Sequence, residues 1–94
     1  MEFNFNLTGL EEEFDYVCSN LGKDWKKLGR AMGFSEADFN AFEEQHPKDL
    51  FERVRLMLST WSSKGEPKDR NDLLDKLKKA KFNMIAHHIK TIDA

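Results

Sequence analysis

Cysteine is almost missing from this 94-residue chain. With Cys18 alone no internal disulfide can form, and that fits a reducing compartment. No apolar run approaches the ~18 residues that a membrane span needs. The opening residues, MEFNFNLT, lack the basic and apolar regions of a secretory signal. Asn6-Leu7-Thr8 matches the glycosylation pattern, and without such a signal it reads as chance. Net charge is only -2, which argues against a general polyanion binder. Strand alternation is confined to Phe3, Phe5 and Leu7. Residues 1–8 therefore read as an extended arm, or as a remnant foreign to the domain. Residues 9–94 read as one domain, since the length suffices for one and not two.

What the chain does have is helical spacing and charge. It is 39% hydrophobic and 34% charged, the balance of a soluble helical domain rather than a disordered chain. The central stretch is Leu21 to Phe34, LGKDWKKLGRAMGF. Trp25, Leu28 and Met32 fall on one helical face, and Lys23, Lys26, Lys27 and Arg30 fill the others. Gly33 stands where a helix end wants positive φ, and Ser35 offers an oxygen to cap the next helix.

Before that stretch, Thr8-Gly9-Leu10-Glu11 reads as a capping box opening a helix to about Asn20. Its inner stripe is Leu10, Phe14, Val17, Cys18 and Leu21, and Glu11, Glu12, Glu13 and Asp15 crowd its first turn. A third helix runs from Ser35 to about Gln45 around Phe39 and Phe42. His46-Pro47 breaks the pattern and is expected to open a fourth helix, which ends near Ser62. Its stripe is Leu50, Val54, Met57, Leu58 and Trp61, which leaves Phe51 and Leu56 off-stripe with at least one exposed. Residues 62–70, SSKGEPKDR, form a loop. A fifth helix covers Asn71 to Lys81 with Leu73, Leu74, Leu77 and Ala80 inward. Asn83 is expected to cap a sixth, with Ile85, His88, Ile89 and Ile92 inward. The spacing predicts an all-α fold, a six-helix antiparallel bundle held by packing.

Charge is sorted by segment. Residues 10–15 and 36–44 each carry four acids and no base, while 23–30 and 75–81 each carry four bases and one acid. Such patches either are solvated faces or dock to complementary patches. Cys18 lies on an inner stripe, where a thiol is inert. His87 and His88 are adjacent and His46 is distant, so helical zinc spacing is missing, and no metal or cofactor is expected. No acid/base or nucleophile set suggests an enzyme. A helix-turn-helix that binds nucleic acid is the alternative function, but its groove-entering third helix would be acidic.

With six helices placed, the chain resembles a death domain. The residues that carry the resemblance are Leu21-Gly22-Lys23-Asp24-Trp25-Lys26-Lys27-Leu28, Gly33-Phe34-Ser35, Val54 to Trp61, Leu73 to Ala80, and Asn83-Met84-Ile85-Ala86. Phe14-Asp15, Val17-Cys18, His46-Pro47 and Glu52-Arg53-Val54-Arg55 are similar to adaptor-type members, and receptor-interacting kinases share much of the pattern. The resemblance implies a cytoplasmic, non-enzymatic module that meets other death-domain proteins (a receptor, kinase or adaptor) and can self-associate, without nucleic acid or membrane insertion. In such domains the second and third helices of one copy meet the first and fourth of another. The end of the fourth helix, its loop and the start of the last make further contacts. Carried over, one patch is Lys27, Arg30, Phe34, Glu36 and Asp38, and the opposing residues are Glu12, Asp15 and Arg55. Phe34 has a second reading, as a cap on the core.

Overall fold

The helices form where the apolar spacing puts them, and their ends are set by a few polar side chains and two backbone reversals. A computed structural model describes residues 10–92 of the chain. The Phe3–Leu7 arm and the Thr8 capping box lie outside the described residues. Six α-helices, α1 (Glu11–Asn20), α2 (Trp25–Ala31), α3 (Glu36–Gln45), α4 (Leu50–Ser62), α5 (Arg70–Lys79) and α6 (Asn83–Lys90), follow one another, with one 3-10 turn at Gly22–Asp24. No strand occurs among the described residues. α1 packs on α4 and α6, α5 packs on α6 and α2, and α3 packs on α4.

Leu10, Phe14, Val17, Cys18 and Leu21 are all buried, as the stripe predicts. Gly22, at φ +68°, turns the chain from α1 into the 3-10 turn and α2. α2 ends in a Schellman reversal. Gly33, at φ +96°, donates to the Arg30 carbonyl at 3.0 Å, and the Phe34 N–H reaches the Gly29 carbonyl at 3.0 Å. Ser35 then caps α3. Its N–H donates to Asp38 Oδ2 at 2.8 Å while its Oγ accepts from the Asp38 N–H at 3.4 Å.

Three expected helix starts move. Pro47 does not open α4: it lies in a turn, and Asp49 is the cap, accepting the Glu52 N–H at 3.0 Å. The Arg53 guanidinium spans the break, donating to the carbonyls of His46 (2.8 and 3.1 Å) and Pro47 (2.9 Å). Those carbonyls are left over where α3 stops, so the arginine satisfies acceptors the helix cannot. α5 begins at Arg70 because Asp69 and Asp72 form a second capping box. Asn83 is the first residue of α6 rather than its cap. Lys81 stands at φ 70° and closes another Schellman reversal, Lys81 N–H to Lys78 at 3.0 Å and Phe82 N–H to Leu77 at 2.8 Å. That sharp reversal leaves Phe82 in the cap position.

The core holds both tryptophans, Trp25 and Trp61, in one cluster with Phe39, Leu28, Met57 and Leu58. Trp25 meets Phe39 edge to face at 5.4 Å between centroids. α2 comes close to this layer through Gly29, where a Cβ would stand 2.4 Å from Phe39 Cε1 and 2.9 Å from Met57 Sδ. His88 departs from the expected inner stripe. It is exposed and stacks on Tyr16 of α1, with centroids 3.9 Å apart and planes 12° apart. Ile85, Ala86 and Ile89 form the buried face of α6.

Candidate interaction surface

The α2–α3 corner gathers one set of expected residues. Arg30 lies in the last turn of α2 and Glu36 starts α3, and the short corner brings Arg30 Nη2 to Glu36 Oε2 at 3.3 Å. Both side chains stay more than half exposed, at 57% and 68%. The arginine plane also lies 5.7 Å from the Phe39 ring, so its stem is laid along the helix surface. Lys27 is exposed one turn earlier, with its Nζ 5.6 Å from the Phe82 ring. A further pair, Lys26 Nζ to Glu43 Oε2 at 3.5 Å, ties α2 to the far end of α3.

Two members of that patch do other work. Phe34 is 6% exposed and meets Phe42 edge to face at 5.3 Å, with Lys64 Nζ 4.7 Å above its ring. It is corrected from a partner-facing residue to a cap on the core: the Schellman reversal at Gly33 turns the next side chain back over its helix. Asp38 is spent on the α3 cap. Hydrogen bonds from the Ser35 backbone and hydroxyl hold its carboxyl below the usual carboxylate range.

The opposing set lies on α1 and α4. Asp15 and Arg55, forty positions apart, form an ion pair across those helices. Glu12 is exposed one turn before Asp15 on the same side of α1. Beneath them Cys18 is buried, and burial pushes its thiol up to about 12, so it is neutral at physiological pH.

Sequence reasoning missed the most buried of the charge pairs among the described residues. The sequence places Glu13 among the acids that crowd the first turn of α1. Its side chain is 4% exposed and accepts two bonds from Arg70, at 2.8 and 3.1 Å, which joins α1 to the start of α5. One faint signal existed: Glu13 lies one residue before Phe14, at the edge of the inner stripe. Among the described residues no group of three or more His, Cys, Asp or Glu side chains is placed to hold a metal ion. No helix there is long and apolar enough to cross a membrane.

The arrangement is an α-helical scaffold that shows a mixed-charge corner at α2–α3 and a second charged face at α1–α4. Exposed surfaces that carry charges of both signs are suited to protein contacts. The chain is 39% identical over 79 residues to the FAS-associated death domain protein of Mus musculus, covering 82% of this chain and 38% of that protein. It is 30% identical over 80 residues to the Homo sapiens protein of the same name, covering 84% and 38%. With Receptor-interacting serine/threonine-protein kinase 1 of Homo sapiens it shares 34% over 58 residues, 60% of this chain and 9% of the kinase. The chain thus spans under two fifths of the length of the FAS-associated relatives it matches. The family profile described as Death domain matches residues 11–92, from the first turn of α1 to just beyond α6, and so this chain belongs to the death domain family.

Proposed function

We propose that this chain is a non-enzymatic adaptor module that works in the cytoplasm by docking to other death domains in apoptotic or innate-immune signalling. The observation that carries this reading is the family match over the whole helical unit, together with two surfaces, one richer in bases and one richer in acids, that each hold an acid–arginine pair. On the first surface Lys27, Arg30 and Glu36 lie together around the α2–α3 corner. On the second, Glu12, Asp15 and Arg55 share the α1–α4 face. Patches of unlike charge steer encounter and set register, with arginine a frequent anchor at such contacts. The two surfaces differ, so the contact is heterologous, and a chain of copies or of mixed partners can grow from it. The partner is a receptor, kinase or adaptor that carries a death domain, or a second copy. A nucleic-acid reading is disfavoured by the exposed acids Glu36 and Glu44 on α3, which phosphate would repel.

Light scattering against concentration for the wild type and Arg30→Glu tests this, with circular dichroism to confirm folding. The variant is expected to weaken association by at least about tenfold, the scale of one interface hot spot. If the wild type stays monomeric, capture by the death domain of a FAS-associated relative replaces the readout. A folded Arg30→Glu that behaves as the wild type in both assays removes the α2–α3 corner from the contact.

A further inference from the structure

The two basic segments of the sequence, 23–30 and 75–81, come side by side because α2 packs on α5. Like charge beside like charge costs the fold stability. Between the two helices lies an open groove of about 510 Å³, lined by Lys27, Arg30, Ala31, Lys79, Ala80 and Lys81. Lys27, Arg30 and Ala31 share one face of α2, at i, i+3 and i+4. The four cations are exposed, whereas Ala31 is half-buried and Ala80 buried, so short side chains form the floor and charged ones the rim. No acid is among the lining residues.

Cations at helix C-termini are ordinary, since they complement the negative end of the dipole. That accounts for Arg30 and Lys79, which also face Glu36 at 3.3 Å and Asp75 at 4.0 Å. It does not account for the other two. Lys27 lies in the first turn of α2, the end where a cation is unfavourable. Lys81 lies beyond α5 at φ 70°, a conformation that glycine adopts at lower cost, so its side chain is held at the groove against the preference of the backbone. Strained residues of this kind gather at ligand sites. The ion pairs of the described residues include none on Lys27 or Lys81.

The lining narrows the ligand class. A guanidinium can hold a phosphate through two parallel bonds, and ammonium groups act as point charges around it. A protein contact is anchored by large side chains at its centre, and the only uncharged lining residues are alanines. A nucleobase stacks on an aromatic face, and the lining has none. The C-terminal ends of α2 and α5 set about half a negative charge each against an anion, which disfavours a single phosphate. Lys27 and Lys81 outweigh those ends, and a ligand with several phosphates engages all four cations at once.

We propose that the α2–α5 groove binds a compact polyphosphate, two or more phosphate monoesters on one small scaffold, of the inositol polyphosphate class, either free or as the headgroup of a lipid. The site does not rest on the docking proposed above. It shares Lys27 and Arg30 with that surface, so an occupied groove competes with a partner at the α2–α3 corner.

Isothermal titration calorimetry of the chain with inositol hexakisphosphate at physiological salt tests the site without any protein partner. Lys27→Gln and Lys81→Gly should each weaken binding about fivefold or more. Lys81→Gly relieves the backbone, so its loss of binding is not a loss of fold, and circular dichroism checks both variants. Lys48→Gln removes the same charge from the exposed α3–α4 turn and should stay within about twofold of the wild type. Co-sedimentation with vesicles that carry a bisphosphorylated phosphoinositide, against phosphatidylserine vesicles of equal charge, separates the sources. Pull-down by the phosphoinositide vesicles alone assigns a lipid headgroup, and binding of the free compound without pull-down assigns a soluble ligand. Absence of binding in both assays, or a loss in Lys48→Gln equal to that in the groove variants, overturns the proposal. A polyglutamate peptide that binds as tightly also overturns it and makes the groove a surface for acidic proteins.

Discussion

The α2–α3 and α5–α6 corners close with the same two hydrogen bonds. Gly33 donates to Arg30 and Phe34 to Gly29 at the first, and Lys81 donates to Lys78 and Phe82 to Leu77 at the second. Each sets a phenylalanine directly after the left-handed residue, and each holds a lysine near that ring, Lys64 over Phe34 and Lys27 over Phe82. Yet the first corner uses glycine and seals its ring at 6% exposure, while the second uses lysine and leaves its ring half-buried. The reversal is therefore a property of the backbone ending a helix, and glycine only lowers its cost. One corner is built for the core, and the other keeps a charged side chain where it meets solvent.

The widest gap between the corners should appear when the rings are removed. Phe34→Ala is expected to lose about 3 kcal/mol, the usual cost of emptying a buried phenylalanine site, and Phe82→Ala about half of that. Urea unfolding of the two variants checks the order, and equal losses would mean that the corners are energetically alike. A smaller effect sharpens the backbone side of the comparison. Gly33→Ala should cost about 1 kcal/mol from the left-handed conformation, because a Cβ there meets nothing within 4 Å. Its thermal midpoint should fall without loss of helix content, and an unchanged midpoint would mean that the residue's φ carries no strain. The smallest effect is expected from Lys81→Gly. Relief of strain and the added freedom of the unfolded chain oppose each other, so stability should stay within about 0.5 kcal/mol of the wild type. A clear loss of stability would show that the Lys81 side chain braces the corner, against the comparison drawn here.

Much of this fold was legible residue by residue. The stripes of α1, α3 and α5 lie inside as their spacing predicts, and Gly33 and Ser35 end and begin helices for the reasons their chemistry supplies. Lys81 was not legible, because lysine carries no preference for positive φ and only the packing of α5 against α6 demands it there. Asp49 and Asp69 cap α4 and α5, where the sequence reading opens one helix at Pro47 and starts the other at about Asn71, because their carboxylates accept from the free N–H groups of the first turn. His88 matches the α6 spacing, but its imidazole stacks on the half-buried Tyr16 ring at the rim of the core and stays exposed.

The candidate surfaces divide in the same way. Sorting of charge by segment is written in the order of residues, and so is the outward face of each helix. Which charges meet is not. Glu13 and Arg70 are 57 positions apart, and Asp15 and Arg55 are 40 apart. Phe34, assigned to a partner, was taken by the core. The sequence alone determined the helices, most of their apolar faces and the alternation of acidic and basic segments, because these depend on periods of a few residues and on local hydrogen bonds. Only the tertiary structure decided which ion pair is buried, which phenylalanine is sealed and which cations border one groove. Those depend on how helices distant in the chain cross, and the spacing of residues along one helix names a face without naming what that face will meet.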